Sequence, residues 1–348
     1  MNSKTYRRRL DLEHGRIDLS HGSGGRAMAQ LIDEIFHAAL ANDWLSRGND
    51  QAAFDVAAGR MVMTTDGYVV SPLFFPGGDI GSLAVHGTIN DVAMAGARPL
   101  YLSASFIIEE GFPLADLKRI ADSMGAAARA AGVPVVTGDT KVVERGKADG
   151  VFISTTGIGV VPAGLDLSAE KVLPGDRVIL SGSIGDHGVA VMSKRQNLTF
   201  DTDLVSDSAA LHGLVAAMVE AAGSAIRVMR DPTRGGIAAT LNELAQASGV
   251  GFRIAEDALP VKPQVAAACE LLGLDPLHVA NEGKLVAIVA PDAAEALLAA
   301  MRVHPLGRDA AIIGEAIEDD HRFVQMTTGF GGGRIVDWLS GEQLPRIC

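Results

Sequence analysis

Four short stretches hold the residues best placed for chemistry: "TTDG" with Asp66, "TINDVAMAGA" with Asn90 and Asp91, "VTGDTK" with Asp139, and "MRDPTRGG" with Asp231. Each stands at the end of a strand-like run or the start of a helical one. In layered α/β proteins, carboxylates at the C-terminal ends of strands face the ligand crevice. Several hard oxygen ligands without Cys or His partners suit Mg2+ bound together with a phosphate, and not Zn2+. Any one of these aspartates taken alone reads as a turn or cap residue, since Asp66 precedes Gly and Asp231 precedes Pro. Four polar interruptions, each set against apolar structure, shift the reading toward a site.

Two glycine-rich segments add capacity for anions. "SHGSGGRAM" precedes the helical pattern "AMAQLIDEIFHAAL", and "DPTRGG", with Arg234, precedes "IAATLNELA". Backbone N–H groups at such helix starts can face a phosphate. Neither segment has the Walker spacing or a dinucleotide G-x-G-x-x-G after a strand. The sequence ends "LPRIC", so Cys348 stands last. It is either an incidental residue at a fraying end or a carrier thiol on a tether. The other cysteine, Cys269, lies in "VKPQVAAACELLG", an apolar helix closing on Gly273, and reads as a small core residue. His21, His86 and His187 each neighbour a glycine but have no metal-ligand spacing, so they read as loop or core histidines.

The elements that must position these residues alternate. "RMVMTTDGYVV" is a strand, "IGSLAVHGTINDVAMAGA" a helix, "PLYLSASFII" a strand and "PLADLKRIADSMGAAARAAG" an amphipathic helix. "VPVVTGD" and "GVFISTTGIGVV" are strands again, "PAGLDLSAEKVLPGD" is a boundary, and "RVILSGSIG" opens a second unit. That unit is expected to hold a helix over 207–223, another after "DPTRGG", and strands at "KLVAIVA" and "AAIIGEAI". The pattern is α/β (α+β) layering. The cluster Gly331-Gly332-Gly333 is expected to be a hinge before a mobile end.

The 348 residues suit two domains, and 48% hydrophobic with 21% charged residues is an ordinary globular balance. A net charge of −12 argues against a nucleic-acid surface. No apolar run reaches membrane-spanning length, and Arg7-Arg8-Arg9 is not followed by an apolar segment, so a cytoplasmic location without membrane attachment is expected.

In order along the chain, "SHGSGGRAM", "TTDG", "GTINDVAMAGARP", "VTGDTKVVERG", "DPTRGG", "NEGKL" and "LPRIC" make a set. It resembles the HypE hydrogenase-maturation carbamoyl dehydratases. These belong to the PurM-like superfamily of aminoimidazole ribonucleotide synthetase, thiamine-monophosphate kinase and selenophosphate synthetase. The inner motifs are shared across that superfamily and point to ATP use; "HGSGGR" and "PRIC" select the family. The resemblance runs from about Ile17 to Cys348, and the first sixteen residues match no pattern.

The resemblance implies a PurM-like two-domain architecture. Its parts would be an N-terminal segment with the Gly-rich loop (1–50), an ATP-binding and dimerisation domain whose sheet forms a dimer barrel (51–165), a C-terminal α/β domain (166–330) and a flexible tail (331–348). It implies that Cys348 carries a carbamoyl group, dehydrated with ATP to a thiocyanate that supplies cyanide to the iron of a [NiFe] hydrogenase. Asp66, Asp91 and Asp231 would be Mg2+ ligands, and Asn90, Asp139 and Thr140 would support nucleotide or metal. Ser23, Gly24 and Gly25 would close over the triphosphate, with Arg234 beside it. Lys141 would approach the γ-phosphate or the thiocarboxamide oxygen, and Glu282 is a candidate base for the carboxamide N–H. Arg346 would steer the tail or dock a partner. The implied partners are the carbamoyltransferase HypF, a HypC–HypD complex and a second copy in a homodimer. Two other readings stay open: a superfamily kinase or synthetase acting on a free small molecule, and a non-catalytic carrier scaffold.

Overall fold

The computed structural model describes residues 9–23, 25–47, 49, 51–55, 59–197, 204–338 and 346–348. Gly24 and residues 339–345 of the expected tail lie outside these.

After a one-turn 3-10 segment at Leu19–Gly22, the chain enters α1 (Arg26–Leu31), which runs through a π-type turn (Ile32–His37) into α2 (Ala38–Leu40). Strand β1 (Arg60–Tyr68) follows, then a small hairpin of β2 (Phe74–Phe75) and β3 (Gly78–Asp79). Helix α3 (Ile80–Met94) begins at Asp79, whose carboxylate accepts from the N–H groups of Gly81 and Ser82. Strand β4 (Arg98–Glu109), α4 (Leu114–Ala131) and β5 (Val135–Val143) form a parallel crossover, and β6 (Val151–Val161) returns antiparallel between β1 and β4. The sheet order is β1-β6-β4-β5.

Helices α3 and α4 lie on one side of this sheet, so its strands alternate in burial; β6 reads buried and less buried in turn throughout. Met63 is 73% exposed and Ile107 41% exposed. Helix α3 is apolar nearly all round because it is enclosed on several sides: by the sheet, by α4 and by the second domain, whose core takes Ala93 and Met94. That placement carries Asn90 and Asp91 to the domain boundary.

The second domain is a seven-stranded sheet. Its strands are β7 (Arg177–Leu180), β8 (Ile226–Arg230), β9 (Gly251–Ala255), β10 (Val286–Val289), β11 (Ala311–Ile317), β12 (Val324–Thr327) and β13 (Gly333–Ile335), in the order β13-β12-β9-β11-β7-β10-β8. All neighbours are antiparallel except β12 and β9. Helices α5 (Asp186–Arg195), α6 (His212–Ala222), α7 (Gly236–Ser248), α8 (Pro263–Leu272) and α9 (Ala294–Val303) complete it. Both faces of the central strands are covered. Val178, Leu180, Val286 and Ile288 join the α7 side, while Ile179, Ala287 and Val289 join the α6–α9 side. Continuous apolar runs such as "VAIV" follow from that double burial.

Two expectations are corrected here. The helix foreseen over 207–223 begins only at His212, because the Asp207 carboxylate is engaged by the Glu282 N–H and by Lys284. The glycine cluster 331–333 is not a hinge: Gly331, at φ +80, makes the turn, and Gly333 opens β13 against Thr327. Cys269 is a buried core residue on α8, and Gly273 caps that helix in the left-handed region, as its sequence suggested.

Candidate active site

The carboxylates gather where the two domains meet. Asp66 lies on β1 opposite Thr155, on the helix-covered face of the sheet. Its neighbour two residues back, Thr64, donates its hydroxyl to Asp91 Oδ2 at 2.8 Å. Burial pushes Asp91 up, and Asp66 adds to the shift. Asp231 sits on the loop after β8, pushed up to about 7 by burial and by Asp91. Glu282 is 3% exposed, and its Oε1 has no hydrogen-bond partner among the described residues. Burial, then Asp231, Asp207, Asp66 and Asp91, hold its carboxyl well above the usual range.

The loops bearing these groups are tied to one another. Asn281 accepts from the Gly185 N–H at 2.7 Å and donates to the Pro232 carbonyl at 3.0 Å, joining "NEGKL" to "DPTRGG". Gly283 passes so close to Asp207 that a Cβ would lie 1.8 Å from its carbonyl oxygen, so only glycine fits there. Gly235 and Gly236 both have positive φ, and this lets Arg234 lead into α7 without a clash.

Cys348 is part of this centre. Val69 N–H donates to one of its main-chain carboxylate oxygens at 3.2 Å, and Ile347, 2% exposed, is packed in the N-terminal core cluster with Val191, Met192 and Ala280. Burial raises the thiol pKa, the Glu282 carboxylate raises it further, and Arg234 opposes them. The docked thiol is therefore protonated and a poor nucleophile. Arg346 turns outward and bonds the Val69 carbonyl and Asp149.

Asp66, Asp91, Asp231, Arg234, Glu282 and Cys348 are thus brought together, but Asn90, Asp139, Thr140, Lys141, Ser23 and Gly25 are not among them. Asn90, foreseen as a nucleotide or metal contact, spends its amide elsewhere. Leu211 N–H donates to its Oδ1, and its Nδ2 donates to the carbonyls of Ala209 and Glu282. It clamps the domains together. Asn90→Ala would leave those buried backbone groups unpaired and is expected to lower stability by about 2–4 kcal/mol, measurable by denaturant unfolding.

Asp139 and Lys141 form an ion pair at 2.6 Å on β5, the far edge strand, about 14 Å from β1 at the usual strand spacing. Strand register also puts them on the other face: Asp139 aligns with Ser105, Ser154 and Gly67, not with Asp66. Thr140 points to the covered face with Phe106, and is 5% exposed. Gly22 lies against β5, where a Cβ would touch Val142, and Ser23 Oγ bonds the Ser20 carbonyl. Gly25 is the N-cap of α1. Within one chain, then, this group and the Asp66 group are separate.

Among the described residues, no three carboxylate, His or Cys side chains stand close enough to hold a metal unaided. The partnerless Glu282 Oε1 and the raised Asp91 and Asp231 nevertheless describe a carboxylate cluster short of cations. That fits Mg2+, which binds through one or two carboxylates and completes its shell with phosphate and water. The sequence reading missed Asp207, Tyr68 and Arg195; His187, read as a loop or core histidine, is buried and bonds the Ile347 carbonyl. Tyr68 is buried beside Thr88, its hydroxyl raised by burial and by Asp66. Lys284, two residues after Glu282 in "NEGKL", was the available signal for Asp207.

The AIR synthase related protein N-terminal domain family matches residues 48–161, and the corresponding C-terminal domain family matches 174–327. The chain is 78% identical to the carbamoyl dehydratase HypE of Bradyrhizobium diazoefficiens over 99% of this chain and 100% of that one. It is 50% identical to that of Escherichia coli over 95% and 99%. A solved hydrogenase maturation protein HypE in complex with ATP superposes with a TM-score of 0.91 at 50% identity, covering 95% of this chain and 99% of that one. A HypE–HypF complex matches with a TM-score of 0.78 at 52% identity, covering 89% and 99%. No helix among the described residues is long and apolar enough to cross a membrane.

Proposed function

Because the chain belongs to the HypE family of carbamoyl dehydratases, we propose the following division of labour among its residues. The protein is an ATP-dependent dehydratase acting on an S-carbamoyl group carried by its own Cys348, and it serves hydrogenase maturation. The observation that carries the residue assignment is the docking of the last three residues: Cys348 is bonded to Val69, just past the end of the strand that bears Asp66, and Ile347 is packed in one cluster with Ala280, two residues before Glu282.

In the reaction the γ-phosphoryl of ATP passes to the carbamoyl oxygen, the C–O bond breaks with phosphate as leaving group, and both N–H protons are lost, one to Glu282 and the other to the phosphate or solvent. The products are the Cys348 thiocyanate, ADP and phosphate. Glu282 takes a carboxamide proton at Oε1; a carboxyl with a raised pKa is a strong base once ionised. The Asn90 clamp and Asp207 hold the Glu282 backbone in place. Arg234 offsets negative charge near the thiol. Asp66, Asp91 and Asp231 would hold Mg2+, which neutralises phosphate charge during transfer. Incubation with the carbamoyltransferase, carbamoyl phosphate and ATP should give a carbamoyl adduct on Cys348 that then loses the mass of one water. A persistent adduct would overturn the assignment.

Binding of Mg2+ with ATP should release protons near neutrality. Asp231 is protonated below about 7, and a divalent cation requires the carboxylate. Affinity therefore rises with pH up to that value and then levels. The same shift acts on stability: between the ordinary 3.8 and about 7, the folded chain keeps a proton that the unfolded chain has lost. Stability from this group therefore falls as pH rises through that window. Calorimetry in two buffers of different ionisation heat would detect the release, and identical heats would contradict it.

HypF is the carbamoyl donor in this reading, a HypC–HypD complex receives the cyanide, and the cytoplasm is the location. A homodimer completes it. The open face of the first sheet, with exposed Met63 and Ile107, and its free edges β1 and β5 support closure of a barrel with a second copy. Such pairing would also bring Ser23, Asp139 and Lys141 of one copy toward the Asp66 group of the other. A monomeric mass in sedimentation at micromolar concentration would remove this part.

A further inference from the structure

Residues 346–348 are held by their backbone. Val69 and Ser71 donate their N–H groups to a main-chain carboxylate oxygen of Cys348 and to the Arg346 carbonyl at 3.2 and 3.1 Å, the two-residue spacing of a paired strand. From the other side, Arg195 donates to the Arg346 carbonyl at 2.8 Å. His187 Nε2 donates to the Ile347 carbonyl at 2.9 Å, while Ser206 occupies its Nδ1 at 2.8 Å. Each of the last three residues therefore has a main-chain oxygen engaged by the body of the protein. The one side chain sunk into the core is Ile347.

Strand addition with a single apolar anchor is a general way of capturing an extended peptide. None of these bonds depends on how residue 346 is connected to the rest of the chain. We propose that Val69–Ser71, His187, Arg195 and the pocket beneath Ile347 form a peptide receptor that also takes a separate chain ending in Arg-Ile-Cys, such as the end of a second copy, and presents its thiol to Glu282. The catalytic half of this proposal rests on the dehydratase reading; the binding half does not. A tethered end enjoys an effective concentration of order millimolar, so a separate peptide has to compete with it.

The test uses the unaltered protein and the peptide Leu-Pro-Arg-Ile-Ser, which cannot be alkylated. Labelling of Cys348 by iodoacetamide, followed by mass mapping, reports the undocked fraction. The label should enter slowly without peptide. Its rate should rise with peptide concentration, roughly tenfold at ten times the peptide's Kd, and not with the same peptide carrying Ile347→Asp. Fast labelling without peptide, or a rate unmoved by roughly 10 mM peptide, overturns the proposal. In a second arm, S-carbamoyl Leu-Pro-Arg-Ile-Cys and ATP are added to the Cys348→Ala protein, and the peptide should lose the mass of one water. If the protein dehydrates its own adduct while labelling ignores the peptide, the receptor falls and the dehydratase reading stands. A labelling response without dehydration of any adduct gives the reverse.

Discussion

Glu282→Gln is expected to leave a chain that folds and accepts the carbamoyl group but no longer removes water from it. The amide cannot take a proton, and losing a positioned base costs about 10²–10⁴-fold in rate, or about 3–5 kcal/mol of barrier. Intact mass would show a carbamoyl adduct that persists with ATP present. Stability should stay the same or rise at pH 8. The substitution keeps the shape while removing a buried carboxyl crowded by Asp231, Asp207, Asp66 and Asp91. Loss of activity together with an unchanged or higher Tm separates a base from a merely structural acid. Near-normal turnover in this variant would remove Glu282 from the mechanism.

Cys348→Ala goes further, since no covalent substrate can form. Neither adduct nor thiocyanate should be detected, so the expected loss is complete and not a fold-change. The backbone bonds of the tail and the Ile347 anchor survive the substitution, so stability should fall by no more than about 1 kcal/mol for a half-buried thiol. ATP binding should persist. Retained activity would instead point to a small-molecule kinase, the reading in which the last residue is idle.

That Asp66, Asp91, Asp231, Glu282 and Cys348 deserved notice was legible in the sequence because short polar motifs set against apolar runs announce themselves, and the strands around them have clear periodicity. Asn90 binds backbone groups of the second domain for a reason that the sequence does not show. It is adjacent to Asp91, but neighbours on a helix point about 100° apart, and only the packing of α3 between two domains decides which side faces the site. Asp139 and Lys141 show the matching problem in a sheet. A two-residue period sets their face, yet which face is covered, and that β5 ends the sheet, are properties of topology. His187, read as a loop or core histidine, and Arg195 carried no signal of their role, because it is to bond carbonyls 160 and 151 residues away. The glycines at 331–333 could equally have made a hinge or a tight turn, and the strand formed by the residues after them decided it.

The docked tail has a consequence for traffic. A carrier seated at home is invisible to its partners, so the apparent affinity of any loading or receiving protein is its intrinsic affinity reduced by the undocked fraction. Burying Ile347 gains about 1.5–3 kcal/mol, while ordering each of three residues costs about 1–2 kcal/mol. The backbone bonds to Val69, Ser71, His187 and Arg195 have to close that gap. A tighter dock would seat each dehydration better and slow every exchange on either side of it, so the throughput of the cycle is greatest at intermediate grip.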